Sequence, residues 1–299
     1  MTPADPRAAP PPGPAVIVLV HYGTPELTRR CLLSLAAQES LVHGVVVVDH
    51  GPGGGLAEAL AGLHPRLTVL EPGANPGFGA GCNRGADWAF EAGAEAVWFL
   101  NNDATLEGPT LGRLLDLARQ QPQVALWGTP QRDGNRILGA DLQASWFGRG
   151  CTPVPVALPP GCRQLAARES LSGASILVTR EGWTRLGPWP EDFFLYLEDA
   201  AWCLRAHTLG LGLALVEGPV THPRSSTIGR RSPLSIFYGV RNQLRLHRQC
   251  HPQARAARVA MAFHMLQKRL FQGRFGLLGH TLRGISAGLR GQGGRDPRY

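Results

Sequence analysis

Four short runs in the first hundred residues, Val16–Val20, Val45–Asp49, Leu67–Leu70 and Ala96–Leu100, are almost wholly apolar, and they leave this chain few folds to choose from. A strand with one wet face alternates apolar and polar residues. These do not, so both of their faces must be covered. Between the runs lie segments with apolar residues at helical spacing, Pro25–Gln38, the short Leu56–Leu63 and Ala80–Ala92. Strands of this kind alternating with helices predict an α/β fold, a mostly parallel open sheet of Rossmann type with helices on both faces. Ligands of such sheets sit beyond the carboxyl ends of the strands, so the residues that follow each run are the candidates for function.

Later segments are less regular. Ser175–Thr179 and Gly212–Glu217 read as strands and Glu198–Leu209 as a helix, whereas 128–168 is rich in Gly, Pro and Arg and carries no assignable pattern. From Pro233 onward strand signals stop and Arg-rich helical patterns take over, which places a boundary at 223–232. The first 14 residues lack the charged start and apolar centre of a signal peptide and read as a disordered Pro/Ala leader. No apolar run approaches the roughly 18–20 residues that span a bilayer. Six cysteines without a C-x-x-C pair argue against a structural zinc site and fit a reducing, cytoplasmic setting.

Charge is divided unevenly. Residues 1–222 hold 15 Arg against 21 acids, a net −6, while residues 223–299 hold 15 Arg or Lys against Asp296 alone, a net +14. The basic part points to an anionic surface. It has few aromatics on which bases could stack, so no specific nucleic-acid partner is expected. Within it Phe271, Phe275, Leu278, Leu282, Ile285 and Leu289 recur at helical spacing, interleaved with glycines and flanked by Arg274, Arg283 and Arg290. Two readings of that stripe stay open: packing on the protein's own body or on a second subunit in a homodimer, and docking on the cytoplasmic face of a membrane.

The strand ends carry the chemistry. The first run leads into His21-Tyr22-Gly23-Thr24-Pro25. The second ends in Asp49, which could hold a ribose or cap its own turn. Asn75-Pro76-Gly77-Phe78-Gly79-Ala80-Gly81-Cys82-Asn83 then enters a helix, where glycines serve either close ligand approach or tight packing. The fourth run ends Asn101-Asn102-Asp103, oxygen donors suited to Mg²⁺ or Mn²⁺ or to a turn. Glu198-Asp199 open a helix behind an aromatic run, as a general base or simply in favour with the helix dipole. His222 follows a strand and, taken alone, reads more readily as a surface or satisfied core residue.

In that order the motifs N-x-G-F-x-x-G-x-N, N-N-D, F-x-Y-x-E-D and H-P resemble glycosyltransferase family 2, and within it the bacterial rhamnosyltransferase-like branch, over about residues 16–250. The resemblance implies a GT-A fold and an inverting, metal-dependent transfer of sugar from a nucleoside-diphosphate donor, dTDP-rhamnose or a UDP-sugar. The acceptor would be a cell-surface polysaccharide or lipid-linked glycan, with the enzyme cytoplasmic at the inner face of the membrane. Donor contacts would come from Tyr22, Asp49, Asn75, Gly77, Phe78, Asn83, Asn102 and Asp103. Asp103 and His222 would hold Mn²⁺ or Mg²⁺, Asp199 would be the base, and Glu198 its catalytic neighbour. On that reading a nucleotide-sugar half spans about 15–105, an acceptor half about 106–230, and a basic helical region 231–299. Three positions depart from the family pattern: His50 for Asn, Asn101 for an acid, and Ala201 for the second acid of E-D-x-D. They motivate an alternative, a weak or silent sugar-nucleotide- or glycan-binding protein on the same fold.

Overall fold

Cover on both faces is what the apolar strands require, and the computed structural model supplies it. The structure describes residues 15–38, 40–133, 136–142, 152–155, 161–167, 169–218, 220–222 and 232–299. The leader at 1–14 and most of the expected boundary at 223–232 lie outside them. The first half runs β1 (Ala15–His21), α1 (Pro25–Ser34), β2 (Val42–Asp49), α2 (Leu56–Leu60), β3 (Leu67–Leu70), α3 (Phe78–Glu91) and β4 (Ala96–Asn101). Next come β5 (Thr105–Leu106), α4 (Thr110–Gln120), β6 (Val124–Gly128), β7 (Gln131–Asp133), β8 (Arg136–Leu142), β9 (Thr152–Pro155), β10 (Cys162–Gln164) and β11 (Glu169–Ser170). The remainder is β12 (Ser175–Thr179), α5 (Arg180–Leu186), α6 (Glu198–Thr208), β13 (Gly212–Val216), β14 (Val220–Thr221), α7 (Pro233–Cys250), α8 (Arg255–Phe271) and α9 (Leu278–Arg290).

Eight strands form the main sheet in the order β10-β13-β6-β12-β4-β1-β2-β3. Pairing is parallel from β4 through β1 and β2 to β3 and between β13 and β6, and antiparallel where β12 enters. Successive residues point to opposite faces. Val16, Val18, Val97 and Phe99 meet α3, α5 and α6 on one side, while Ile17, Leu19, Trp98 and Leu100 meet α1, α2 and α4 on the other. The mostly parallel α/β expectation is therefore met.

The unassigned stretch 128–168 contributes β7–β10. Of these, β7, β8 and β9 join β5, β11 and β14 in a second sheet, ordered β11-β8-β7-β14-β5 with β9 on β8. β7, β9 and β10 are only three or four residues long, and in β8 the apolar residues are broken by Gly139, so periodicity did not reveal them.

Helix α3 lies unusually close to β1. Gly81 and Gly85 fall one turn apart on its inner face, and a Cβ on Gly85 would come within 2.4 Å of a Val18 methyl. The glycines of this segment thus serve helix–sheet contact.

The basic region folds as three helices, and here the sequence reading needs correction. The stripe is not one helix: α8 ends at Phe271, and a short 3₁₀ turn, Phe275–Leu277, precedes α9. The face of α9 that packs on α7 is made of small residues, Thr281, Gly284, Ala287 and Gly288, and Cβ atoms on the two glycines would strike the carbonyls of Phe237 and Arg241 at 2.8 Å. Glycines that weaken an isolated helix are here what lets two helices touch. Phe271, Phe275, Leu282 and Leu289 stand exposed beside that contact, and Ile285 is partly covered by the α7–α8 cluster. Among the described residues no helix is long and apolar enough to cross a membrane.

Candidate active site

Strands β1, β2 and β4 end side by side, with His21 level with Asp49 and Val20 with Asn101. Their following residues therefore share one edge of the sheet. Tyr22 is exposed there. Asp49 is buried, and its Oδ1 accepts the Gly51 N–H at 2.7 Å, so it does cap its turn. Its neighbour His50 is buried as well, and desolvation lowers that imidazole to about 4, partly offset by Asp49, so His50 is neutral.

Beyond β4 the three polar residues separate in role. Asn102 turns inward, its Nδ2 donating to Thr28 Oγ1 at 3.0 Å. Asp103 Oδ1 lies 3.0 Å from His222 Nε2, and Asn101 Nδ2 lies 2.9 Å from the same nitrogen. The second sheet brings His222 across 119 residues of sequence: β14 pairs antiparallel with β5, setting Thr221 opposite Thr105. Two cis ligands at about 2.1 Å from an octahedral ion lie about 3.0 Å apart, so the Asp103–His222 spacing fits a shared divalent ion. No group of three or more His, Cys, Asp or Glu suited to a metal occurs among the described residues. A bound diphosphate and water would have to complete the shell, as suits Mg²⁺ or Mn²⁺.

The acidic pair opens α6 at the far side. Glu198 is buried, and burial with the adjacent Asp199 charge pushes it up to about 8. Burial raises Asp199 too, but two backbone donors oppose the shift: Gly173 N–H to Oδ2 and Ala200 N–H to Oδ1, each at 2.8 Å. Those donors favour placing the pair's negative charge on Asp199 rather than on Glu198. The loop before β12 ties both halves together. Gly173 binds Asp199, and the next residue, Ala174, accepts the Asn101 N–H at 3.0 Å. One turn of chain thus touches the base candidate and the strand end that carries Asp103.

Asn75, Gly77, Phe78 and Asn83 lie around the start of α3. Asn75 Oδ1 accepts the Gly77 N–H at 2.9 Å. Gly77 has φ +110°, and a Cβ there would lie 2.5 Å from the Phe194 carbonyl, which accepts the Phe78 N–H at 2.9 Å. The Phe78 ring meets Trp189 edge-on, and Gly173 lies between it and Asp199. Asn83 uses its amide on protein: Nδ2 donates to Trp189 O and Glu191 Oε1, and Oδ1 accepts the Trp189 N–H. It latches α3 to the segment before the acidic pair. Ala201 packs with Phe193 and Leu246, so an acid at that position would meet an apolar surrounding.

Sequence reasoning missed the support behind the pair. Phe194, Tyr196 and Leu197 all have left-handed φ, near 63–70°, a costly conformation for bulky residues. From α7, fully buried Asn242 places Nδ2 2.7–2.9 Å from the carbonyls of Phe193, Leu195 and Tyr196. Arg241 donates to Phe193 O and Gly294 O at 2.6 Å, and Arg245 pairs with Asp192. The available signal was Arg241 and Asn242 standing together in α7 one turn after Phe237 and Tyr238, all four of them buried.

Comparison with known proteins decides the class. Residues 16–149 match the family model described as "Glycosyl transferase family 2". This is a glycosyltransferase, and the part that matches family 2 is its first half. Two curated relatives, from Mycobacterium tuberculosis strains CDC 1551 / Oshkosh and H37Rv, carry the name N-acetylglucosaminyl-diphospho-decaprenol L-rhamnosyltransferase. Each is 27% identical to this glycosyltransferase over 72% of its chain and 77% of the relative. Among solved structures, the Pyrobaculum calidifontis mannosyltransferase PcManGT with GDP-Man and Mn²⁺ superposes with TM-score 0.56 at 14% identity, over 93% of this chain and 87% of that one. GalNAc-T7 with UDP, GalNAc and Mn²⁺ gives 0.57 at 13% identity over 79% of this chain, which spans only 47% of GalNAc-T7. S. aureus TarS 1–349 with UDP-GlcNAc gives 0.51 at 16%, over 91% and 81%. These solved structures share the GT-A fold with the glycosyltransferase.

Proposed function

We propose that the chain transfers a sugar, with inversion, from a nucleoside-diphosphate donor to a lipid-linked or cell-surface glycan, working at the cytoplasmic face of a membrane. The observation that carries the reading is the Gly173–Ala174 turn, which binds Asp199 on one side and the Asp103-bearing strand end on the other. Asp103 and His222 would hold Mn²⁺ or Mg²⁺, which when bound offsets charge on the departing diphosphate. Tyr22 and Asp49 line the edge where a nucleoside would lie, and Asn75, Gly77 and Phe78 form the floor under the sugar. Asn83 and Asn102 act on the donor site through the residues they fix. Asp199, ionised and held by two backbone donors, takes the proton of the acceptor hydroxyl as it attacks the anomeric carbon from the side opposite the leaving group. Glu198, protonated beside it, keeps the pair at one negative charge. The rhamnosyl and decaprenol chemistry named for the mycobacterial relatives favours dTDP-rhamnose, or a UDP-sugar, and a polyprenyl-linked acceptor. The catalytic unit is taken as 15–230 and the helical unit as 231–299.

The test is release of nucleoside diphosphate from a panel of nucleotide sugars with Mn²⁺, with and without a polyprenyl-diphosphate-sugar acceptor. Acceptor-stimulated release lost on chelation is the expected result. Donor binding with no release under any condition would establish the silent, binding-only alternative.

A further inference from the structure

We infer that α8 and α9 form a docking surface for an anionic lipid bilayer, on a face other than the one the small-residue packing uses. Val259, Phe263 and Leu270 fall within one stripe of α8, and Phe271, Phe275 and Leu282 continue it through the corner and along α9. All six are exposed, Phe263 at 61%, Phe275 at 67% and Phe271 at 89%. Large apolar side chains normally leave water, so a run of them on adjoining elements marks an interaction surface.

Charge selects the occupant. Arg255, Arg283 and Arg290 are exposed on the same two helices, and none has an acidic partner among the described residues. From residue 223 onward the single acid is Asp296, which is bound to Arg298. A protein partner could match aromatics and cations in many ways. An anionic leaflet matches both at once, aromatic rings entering the headgroup boundary and cations remaining among phosphates. The surface is joined to the active site, since α9 packs on α7 and α7 carries Arg241 and Asn242 beneath the loop before Glu198. This inference deepens the function proposed above by naming the face that would meet the membrane.

The experiment is co-sedimentation of the full chain with vesicles of phosphatidylglycerol and phosphatidylcholine, and with phosphatidylcholine alone. The variants are Phe271→Ser with Phe275→Ser, and Arg283→Gln with Arg290→Gln. These side chains are exposed, whereas removing α9 would uncover α7. The wild type should sediment with the anionic vesicles only and be released by salt. Each double variant should lower its partition coefficient at least tenfold. Wild type that stays in the supernatant at low salt, or variants that sediment equally, would overturn the surface. So would a concentration-dependent dimer by light scattering, abolished by the aromatic pair, without vesicle binding. Donor hydrolysis measured without vesicles should be the same in wild type and variants. Its absence in all of them would count against the proposed transfer, and leaves the sedimentation result to stand or fall on its own.

Discussion

At the scale of single residues, the two carboxylates proposed to carry the reaction differ in what holds them. Asp103 shares its oxygen's surroundings with His222, and Asp103→Ala is expected to reduce transfer to background while circular dichroism and melting stay near wild type; wild-type turnover would refute the assignment. Asp199→Asn keeps the side chain's shape but cannot take a proton. Turnover should fall at least about a hundredfold with the donor KM little changed. If Glu198→Gln were the damaging change instead, the roles would be exchanged.

Glu198 also makes a stability statement. Its folded-state value, pushed up to about 8 by burial and Asp199, lies above that of an exposed glutamate, so the folded chain binds more protons than the unfolded one between about pH 4.5 and 8. Stability from this group is present below that window and lost as pH rises through it. Glu198→Gln, which cannot ionise, should melt close to wild type at pH 5 and above wild type at pH 8. Melting curves that stay parallel across that range would show the carboxyl to be ionised throughout.

Elements explain how much could be read in advance. The strand ends were legible because an apolar run ending in Asp49 or Asn101 announces both a strand and its edge. His222 was set beside Asp103 only by the family resemblance and not by pattern, since the pairing depends on β14 meeting a two-residue strand, β5, which no periodicity marks. Asn83 stood in the expected motif, yet its function is set by Trp189, 106 residues away. The loop 193–197 is the clearest case. Its left-handed residues persist because Asn242 and Arg241 satisfy its carbonyls, and those come from a helix read only as part of a basic tail. Asn242→Ala leaves buried carbonyls without that donor, at about 1–3 kcal/mol, and should loosen the geometry of Asp199. The expected result is a kcat lower by roughly ten- to a hundredfold with an almost unchanged donor KM. A change confined to melting temperature would mean that the latch only stabilises.

Across the whole molecule, an acidic α/β body and a basic helical unit meet at α7, which packs on α9 and reaches the loop before Glu198, and at the C-terminal segment, where the Gly294 N–H bonds Asp192 O at 2.7 Å. Gly284→Val tests that fastening. A Cβ there would lie 2.8 Å from the Phe237 carbonyl and 3.0 Å from Val240, and overpacking of this kind costs about 1–3 kcal/mol. Urea unfolding should move to lower midpoint, and activity should fall with it if α9 supports the loop through α7. An unshifted midpoint would show α9 free to slide.

The close seating of α3 on β1 has a consequence for how this gene can vary. Every base change in a glycine codon that replaces the glycine with another amino acid adds a Cβ, so no substitution avoids the collision of position 85 with Val18 or of position 77 with Phe194. Gly276 and Gly279, with nothing within 4 Å of a Cβ, are free to drift. In a saturation library selected for activity, 77 and 85 should therefore be empty columns while 276 and 279 fill with alternatives. Lineages of this enzyme would thus be expected to diversify on their outer helices while the seating of α3 stays fixed.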